Sequence, residues 1–316
     1  MRPTIQLLEV CILSILVYLL TFGFLIKKPL TIGYVNVIYG IKFGYAKTIN
    51  QPKLAILAAS NGFFSFRCET MEPILNRPCV NAAIGEGLGF QFVIDKIKTI
   101  LEPGDVVLMP LEYGFYTQDQ AEIESGAANA YMAAYDKKQL LTLEPLHMIR
   151  SIFHFNYKFL LSGAVEMILN KAGVSRRFNA NTTTKQGDMK NHTIEKGKVY
   201  KEFLLKEKQQ GPIEGKEFFG KKYLSQIILE KFLSYSKAND IRIIGTLPTT
   251  FDDHPTSELV IKRISDIYEN MGQQFLVLPN KSQYSRDCFY DTSYHLNEPC
   301  QIKHSKLVAK FLKPLL

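Results

Sequence analysis

The chain has 316 residues, of which 46% are apolar and 22% charged, and its formal net charge is +8. That balance excludes a globally disordered polypeptide and leaves room for one large α/β domain or two modest ones. The lysines are scattered and no DNA- or RNA-binding module accompanies them, so no nucleic acid is expected as a partner. The basic surplus suits anionic lipid headgroups or an acidic glycan instead.

The first predicted element is a membrane anchor over residues 1–28. No residue from Val10 to Ile26 is charged, and Lys27 and Lys28 close the run. That length is near the lower limit of about 17 residues for a helix that crosses a bilayer. The run leads straight into the lysines without a small-x-small cleavage site, which favours an uncleaved anchor over a signal peptide. Orientation has signals on both sides. Lys27, Lys28, Lys42 and Lys47 follow the span and only Arg2 precedes it, which by the positive-inside rule places the main domain in the cytoplasm. Large following domains, however, translocate despite such charges.

Residues 29–52 read as a connector rich in Gly and Tyr, and an α/β domain is expected over 53–316. The run Leu54 to Ala58 is a short buried strand ending in a turn of small residues, and a second strand is expected at Cys79-Val80-Asn81. Phe90, Val93, Ile94, Ile97, Ile100 and Leu101 recur at helical spacing until Pro103-Gly104, and Asp105 to Met109 is the next strand. An insertion follows at about 115–215. Its apolar, aromatic part (140–172) predicts helices that cap the sheet edge or lie on the membrane, and its polar part (176–215) predicts a mobile loop or lid. Alternation then resumes with a helix over 223–238, a strand over 241–245, a helix over 258–271, a strand over 275–278 and a closing helix over 302–312. Strands alternating with helices predict a parallel, doubly wound sheet with helices on both faces.

Two segments carry residues suited to chemistry. Ser60 follows directly on the first strand, at the carboxyl edge of the sheet, where doubly wound folds bind ligands. A serine there also serves as an ordinary helix cap. Near the other end, Asp291 stands four residues before His295 in a turn ahead of the final helix. Serine ester chemistry needs a base for the hydroxyl proton and an acid that orients the base, and this turn supplies both if it folds over Ser60. Four cysteines fall as Cys68 with Cys79, shortly after Ser60, and Cys288 with Cys300, which bracket Asp291 and His295. In an oxidising compartment they are two disulfides, and otherwise four buried thiols. His192, His254 and His304 have no neighbours at metal-ligand spacing, and no phosphate loop is present, so cofactor-free chemistry is expected.

These segments resemble the SGNH hydrolases, the lineage that includes GDSL esterases and extracytoplasmic proteins acting on acyl groups of bacterial envelope polymers. Ala59-Ser60-Asn61-Gly62 is similar to the nucleophile block, Asn81 to Gly89 to the second block, Pro103 to Val107 with Pro110-Leu111-Glu112-Tyr113 to the third, and Asp291 to Asn297 to the terminal Asp–His block. The resemblance covers most of 53–113 and 240–312. It implies a three-layer, flavodoxin-like sheet and a triad of Ser60, His295 and Asp291. It also implies an oxyanion hole from the N–H groups of Ser60 and Ala83, with a contribution from the Asn61 side chain. Glu112, Tyr113, Tyr294 and Asn297 become candidate substrate contacts.

Two positions depart from the pattern. Glu112 stands where the family offers an Asn to the oxyanion, and an ionised carboxylate cannot donate. The Asp–His spacing is four rather than three. The function implied is a membrane-anchored esterase or O-acyltransferase on an envelope glycan, on the periplasmic side, with a membrane-embedded acyl donor as an expected partner. An inactive scaffold that binds glycan or a membrane partner is the alternative, and a lipase working at the bilayer a third reading.

Overall fold

The computed structural model describes residues 2–27, 30–119, 126–153, 157–173, 180–208 and 221–316. The chain divides into two compact units, one of residues 1–37 with 126–180 and the other of 38–125 with 181–316.

The first unit holds helix α1 (Arg2–Leu25) and the opening turns of α2 (Leu30–Ala46). Its remaining helices are α6 (Gly126–Tyr135), α7 (Lys137–Leu140), α8 (Pro145–Phe153) and α9 (Tyr157–Lys171). Pro3–Leu25 is long and apolar enough to cross a membrane, and almost all of it is exposed. The apolar part of the insertion is helical, as its composition predicts. The connector expected over 29–52 is largely a helix: three glycines in Leu30–Ala46 hid the α-helical tendency of the intervening apolar residues.

The second unit is α/β. In chain order it contains β1 (Leu54–Ile56), α3 (Ser60–Ser65), α4 (Cys68–Leu75), β2 (Cys79–Asn81), α5 (Phe90–Lys98) and β3 (Val106–Met109). After the insertion come α10 (Ile194–Gly197), α11 (Lys201–Lys206), α12 (Leu224–Ala238), β4 (Arg242–Thr246), β5 (Thr250–Phe251), α13 (Glu258–Glu269), β6 (Gln274–Leu276), β7 (Gln283–Tyr284) and α14 (Glu298–Leu312). Five strands form one parallel sheet in the order β2-β1-β3-β4-β6, and β5 pairs with β7 separately.

Alternation along the strands sends Leu54, Ile56, Val106, Leu108 and Ile244 to one face, where Phe66, Met71, Leu75, Val308 and Leu312 from the α3–α4 segment and α14 cover them. The opposite face is covered by α12 and α13, which pack on β4. Gly245 is obligatory there, because a Cβ would come within 2.8 Å of the Tyr268 ring. α14 starts where it does because Asn297 caps it, its side chain accepting from the Cys300 N–H.

The amino edge of the sheet is closed by an ion pair. Lys53 and Asp105, immediately before β1 and β3, are 1% and 0% exposed, with Nζ and Oδ2 2.6 Å apart. The Lys53 and Glu102 N–H groups also donate to this carboxylate.

The polar segment expected to be a mobile loop or lid holds α10 and α11 over its described part. Residues 181–208 belong to the second unit, where Asp188 is fully buried and accepts from the N–H groups of Cys68 and Glu69, while most of the lysines of the segment are exposed. Residues 176–179 and 209–215 of that expectation lie outside the described residues.

Candidate active site at the carboxyl edge of the sheet

Ser60 opens α3 just after β1, and the helix sits hard against the sheet because Gly62 has no side chain. A Cβ there would lie 2.6 Å from that of Ala58 and 2.7 Å from that of Ala83. Asp291 and His295 occupy a turn closed by an isolated bridge between Phe289 and Leu296 and by the Tyr290 N–H donating to the His295 carbonyl. The disulfide Cys288–Cys300 spans this turn, with Cα atoms 5.5 Å apart. The second disulfide, Cys68–Cys79, joins α4 to β2 with Cα atoms 5.1 Å apart.

The three residues form one hydrogen-bonded chain. Ser60 Oγ is 2.8 Å from His295 Nε2, and His295 Nδ1 is 2.6 Å from Asp291 Oδ1. An ionised carboxylate only accepts, so Nδ1 carries the imidazole proton and Nε2 is left to accept from the serine hydroxyl. The four-residue Asp–His spacing is therefore accommodated within the turn. Phe64 fixes the imidazole plane from one side, with ring centroids 4.2 Å apart and planes 8° from parallel. Sequence reasoning missed Phe64, although it stands four residues after Ser60 and so on the same helical face.

The predicted oxyanion donors fare unequally. The Asn61 side-chain amide donates to the Pro110 carbonyl at 2.6 Å, and the Asn61 N–H donates to Glu112 Oε1 at 3.2 Å. Asn61 thus ties α3 to the segment after β3, which uses its backbone N–H and one of its two amide hydrogens. The Ala83 N–H is 3.2 Å from Asn81 Oδ1, a long contact. The Ser60 N–H has no protein acceptor among the described residues. Glu112, the departure from the pattern, is buried and bonded to the backbone of the helix that carries the nucleophile.

The other predicted substrate contacts are buried and hydrogen-bonded within the fold. Tyr113 hydrogen-bonds Thr256 through its hydroxyl, and burial pushes that phenol up to about 12. The Tyr294 carbonyl accepts from Ser65 and Thr249, and Asn297 caps its helix, donates to the Asp287 carbonyl and lines the neighbouring cavity.

Three further groups surround the triad without any local sequence signal. Lys42, 0% exposed, donates all three ammonium protons to carbonyls, those of Asn81 at 2.8 Å, Ala83 at 2.6 Å and Gly187 at 2.6 Å. Burial pushes this ammonium well below its ordinary range and raises the nearby Asp188 carboxyl. Gly187 permits the arrangement at φ +98°, where a Cβ would stand 2.5 Å from the Asn81 carbonyl. His192 is buried edge-on to Phe64 and Tyr290, and desolvation lowers its pKa to about 4. Glu207 accepts from the Ser293 hydroxyl inside the turn between Asp291 and His295, and burial raises its carboxyl.

A cavity of about 520 Å³ lies beside the turn, with Leu204, Leu205 and Phe289 on its walls and Lys198, Lys201 and Arg286 among its charged residues. None of the three triad residues lines it. Among the described residues no group of three or more His, Cys, Asp or Glu side chains is placed to hold a metal ion.

The arrangement suits hydroxyl activation by a neutral imidazole, the first requirement of acyl transfer. No family model, no curated protein and no solved structure matches the chain.

Proposed function

We propose that the chain is a membrane-anchored serine acyl-ester enzyme of SGNH type, acting as an esterase or O-acyltransferase on a cell-envelope glycan. The observation that carries this reading is the unbroken chain from Ser60 Oγ through His295 to Asp291, with links of 2.8 and 2.6 Å. The strand order β2-β1-β3-β4-β6, the flavodoxin-like order, supports the fold assignment, since it brings the ends of β1, β2 and β3 together at the site. Two disulfides support an oxidising, extracytoplasmic compartment. The formal net charge of +8 favours an acidic polymer over a neutral one.

In this mechanism Ser60 Oγ attacks the acyl carbonyl while its proton passes to His295 Nε2, and Asp291 holds the imidazolium through Nδ1–H. The negative charge on the former carbonyl oxygen is met by the Ser60 N–H, joined by the Ala83 N–H once its long contact with Asn81 is released. Collapse breaks the bond to the leaving oxygen, which takes the proton from Nε2. Water or a sugar hydroxyl then gives its proton to Nε2 and attacks the acyl-serine; the bond from the acyl carbon to Oγ breaks, Ser60 takes the proton back from Nε2, and free acid or transferred ester leaves.

A second reading, an inactive scaffold that binds glycan or a membrane partner, draws on one observation: Glu112, a carboxylate, stands where the family offers an Asn donor and accepts from the Asn61 N–H, so the donor set is thin. Labelling of the purified full chain with a fluorophosphonate separates the two. The expected result is labelling that disappears in Ser60→Ala and in His295→Ala. A folded native chain that takes no label overturns the enzyme reading in favour of the scaffold.

A further inference from the structure

α1 does not stand alone in its unit. Tyr18 stacks on Phe153 at 5.2 Å between centroids and donates its hydroxyl proton to the Ile152 carbonyl at 2.7 Å, so the end of α8 is fastened to the side of α1. α9 packs against α1 as well. Tyr18 lies seven residues before the end of α1 at Leu25, which at 1.5 Å per residue is about 10 Å into the apolar run. If α1 crosses a bilayer, Ile152 and Phe153 sit at hydrocarbon depth.

The surfaces of α8 and α9 match that position. Leu146, Ile149 and Phe153 of α8 are 60%, 50% and 49% exposed and recur at intervals of three and four. Leu161, Val165 and Ile168 of α9 are 54%, 54% and 61% exposed with the same spacing. Each set is one stripe of its helix, turned outward where a water-soluble unit would turn it inward. Glu166, the acidic residue of α9, is off that stripe and half-buried. Neither helix is long enough to cross. The nine and fifteen residues of α8 and α9 rise about 13 and 22 Å, against a hydrocarbon core of about 30 Å.

We propose that α8 and α9 are seated in the lipid beside α1, dipping into the hydrocarbon layer and returning to the side from which they enter, with these two stripes facing acyl chains. The occupant of the exposed face is bilayer lipid. Its continuity with an apolar helix that is itself almost wholly exposed, and the tie at Tyr18, set the depth. The inference rests on α1 as a membrane span and not on the triad chemistry.

The chain contains no tryptophan, so a single introduced indole reports its own surroundings. Leu161→Trp and Ile168→Trp sit at exposed positions where the fold does not constrain the side chain. Each would be made in the full chain, reconstituted in phosphatidylcholine–phosphatidylglycerol vesicles with acyl chains brominated at a defined depth. Leu13→Trp serves as the span reference and Val199→Trp, 80% exposed in the α/β unit, as the aqueous reference. Both α9 indoles are expected to lose most of their emission to the brominated chains, as Leu13→Trp does, and to resist iodide, whereas Val199→Trp is quenched by iodide alone. If the α9 indoles follow Val199→Trp while Leu13→Trp is quenched by lipid, the dipping pair is overturned. Shielding from both quenchers overturns it too, and points to a protein partner or self-association on that face. Failure of Leu13→Trp to respond to lipid removes the span itself, a distinct outcome.

Discussion

The two edges of the central sheet each bury a lysine, and they use it in opposite ways. At the amino edge Lys53 meets Asp105 at 2.6 Å, and two N–H groups complete the carboxylate's shell, so charge and hydrogen bonding are both balanced within a few residues. At the carboxyl edge Lys42 hydrogen-bonds three carbonyl oxygens and lies over the Phe63 ring at 4.1 Å, while the carboxylate it interacts with, Asp188, is bonded to Cys68, Glu69 and Thr184. Around it stand polar atoms with little or no hydrogen bonding, including Asn61 Oδ1 and both ring nitrogens of His192. The amino edge is built as a clamp. The carboxyl edge holds backbone in place while leaving polar groups open.

Substitutions at the two edges should therefore separate chemistry from stability. The largest expected effect is Asp291→Asn, which leaves the turn intact but reverses the imidazole tautomer. A loss of about 10⁴-fold in the fluorophosphonate labelling rate, with an unchanged melting temperature, is expected. Asp105→Ala at the other edge strands a buried ammonium and should cost about 3–5 kcal/mol in denaturant unfolding. The labelling rate of the molecules that remain folded should not change, and a loss comparable to that of Asp291→Asn would break the distinction between the edges. Lys42→Met removes the donor from three buried carbonyls and is expected to lower stability by about 3 kcal/mol. Unlike Asp105→Ala, it should also slow labelling of the folded fraction, because Ala83 loses its anchor. Restoring stability with an osmolyte without restoring the labelling rate would confirm that Lys42 acts on the site.

Two smaller effects sharpen the picture. Replacing Cys288 and Cys300 together by Ser opens a loop with a sequence separation of 12 and should cost about 2–3 kcal/mol. The same change at Cys68 and Cys79 should match it in stability and differ in labelling, since only the first pair encloses Asp291 and His295. The smallest effect is a pH slope. His192 in the folded chain binds its proton less tightly than in the unfolded chain, mainly through burial, with Arg67 and His295 reinforcing the shift and Glu298 opposing it. The unfolded state then takes up more protons in acid. The stability held by neutral His192 is present above pH about 6.5, is lost as pH falls toward 4, and levels off below that, with a slope of up to about 1.4 kcal/mol per pH unit. His192→Leu should make the acid limb of the stability curve shallower by that amount.

Much of the sheet was legible because a buried parallel strand is a short continuous apolar run: β1, β3 and β4 each start within a residue of the expected positions 54, 105 and 241, although β1 stops at Ile56, two residues early. Ser60 with Asp291 and His295 was legible because the topology of a doubly wound sheet brings the ends of its strands to one edge. The long-range polar ties were not. Nothing near Lys42 indicates that its ammonium will reach carbonyls 39, 41 and 145 residues away. The segment around Asp188 has the composition of a surface loop, and it is buried only because Cys68 and Glu69 present N–H groups to it. The Asn61 amide pointed toward the oxyanion by analogy, yet the Pro110 carbonyl, 49 residues on, claims it.

The bridge between Cys288 and Cys300 gives the acid and the base a covalent ring of their own. Asp291 and His295 both lie inside it, whereas Ser60 lies far outside, 235 residues away along the chain. With both thiols reduced, Asp291 and His295 stand on an open loop instead of a closed ring. A reduced copy is expected to react more slowly with a fluorophosphonate than the oxidised one.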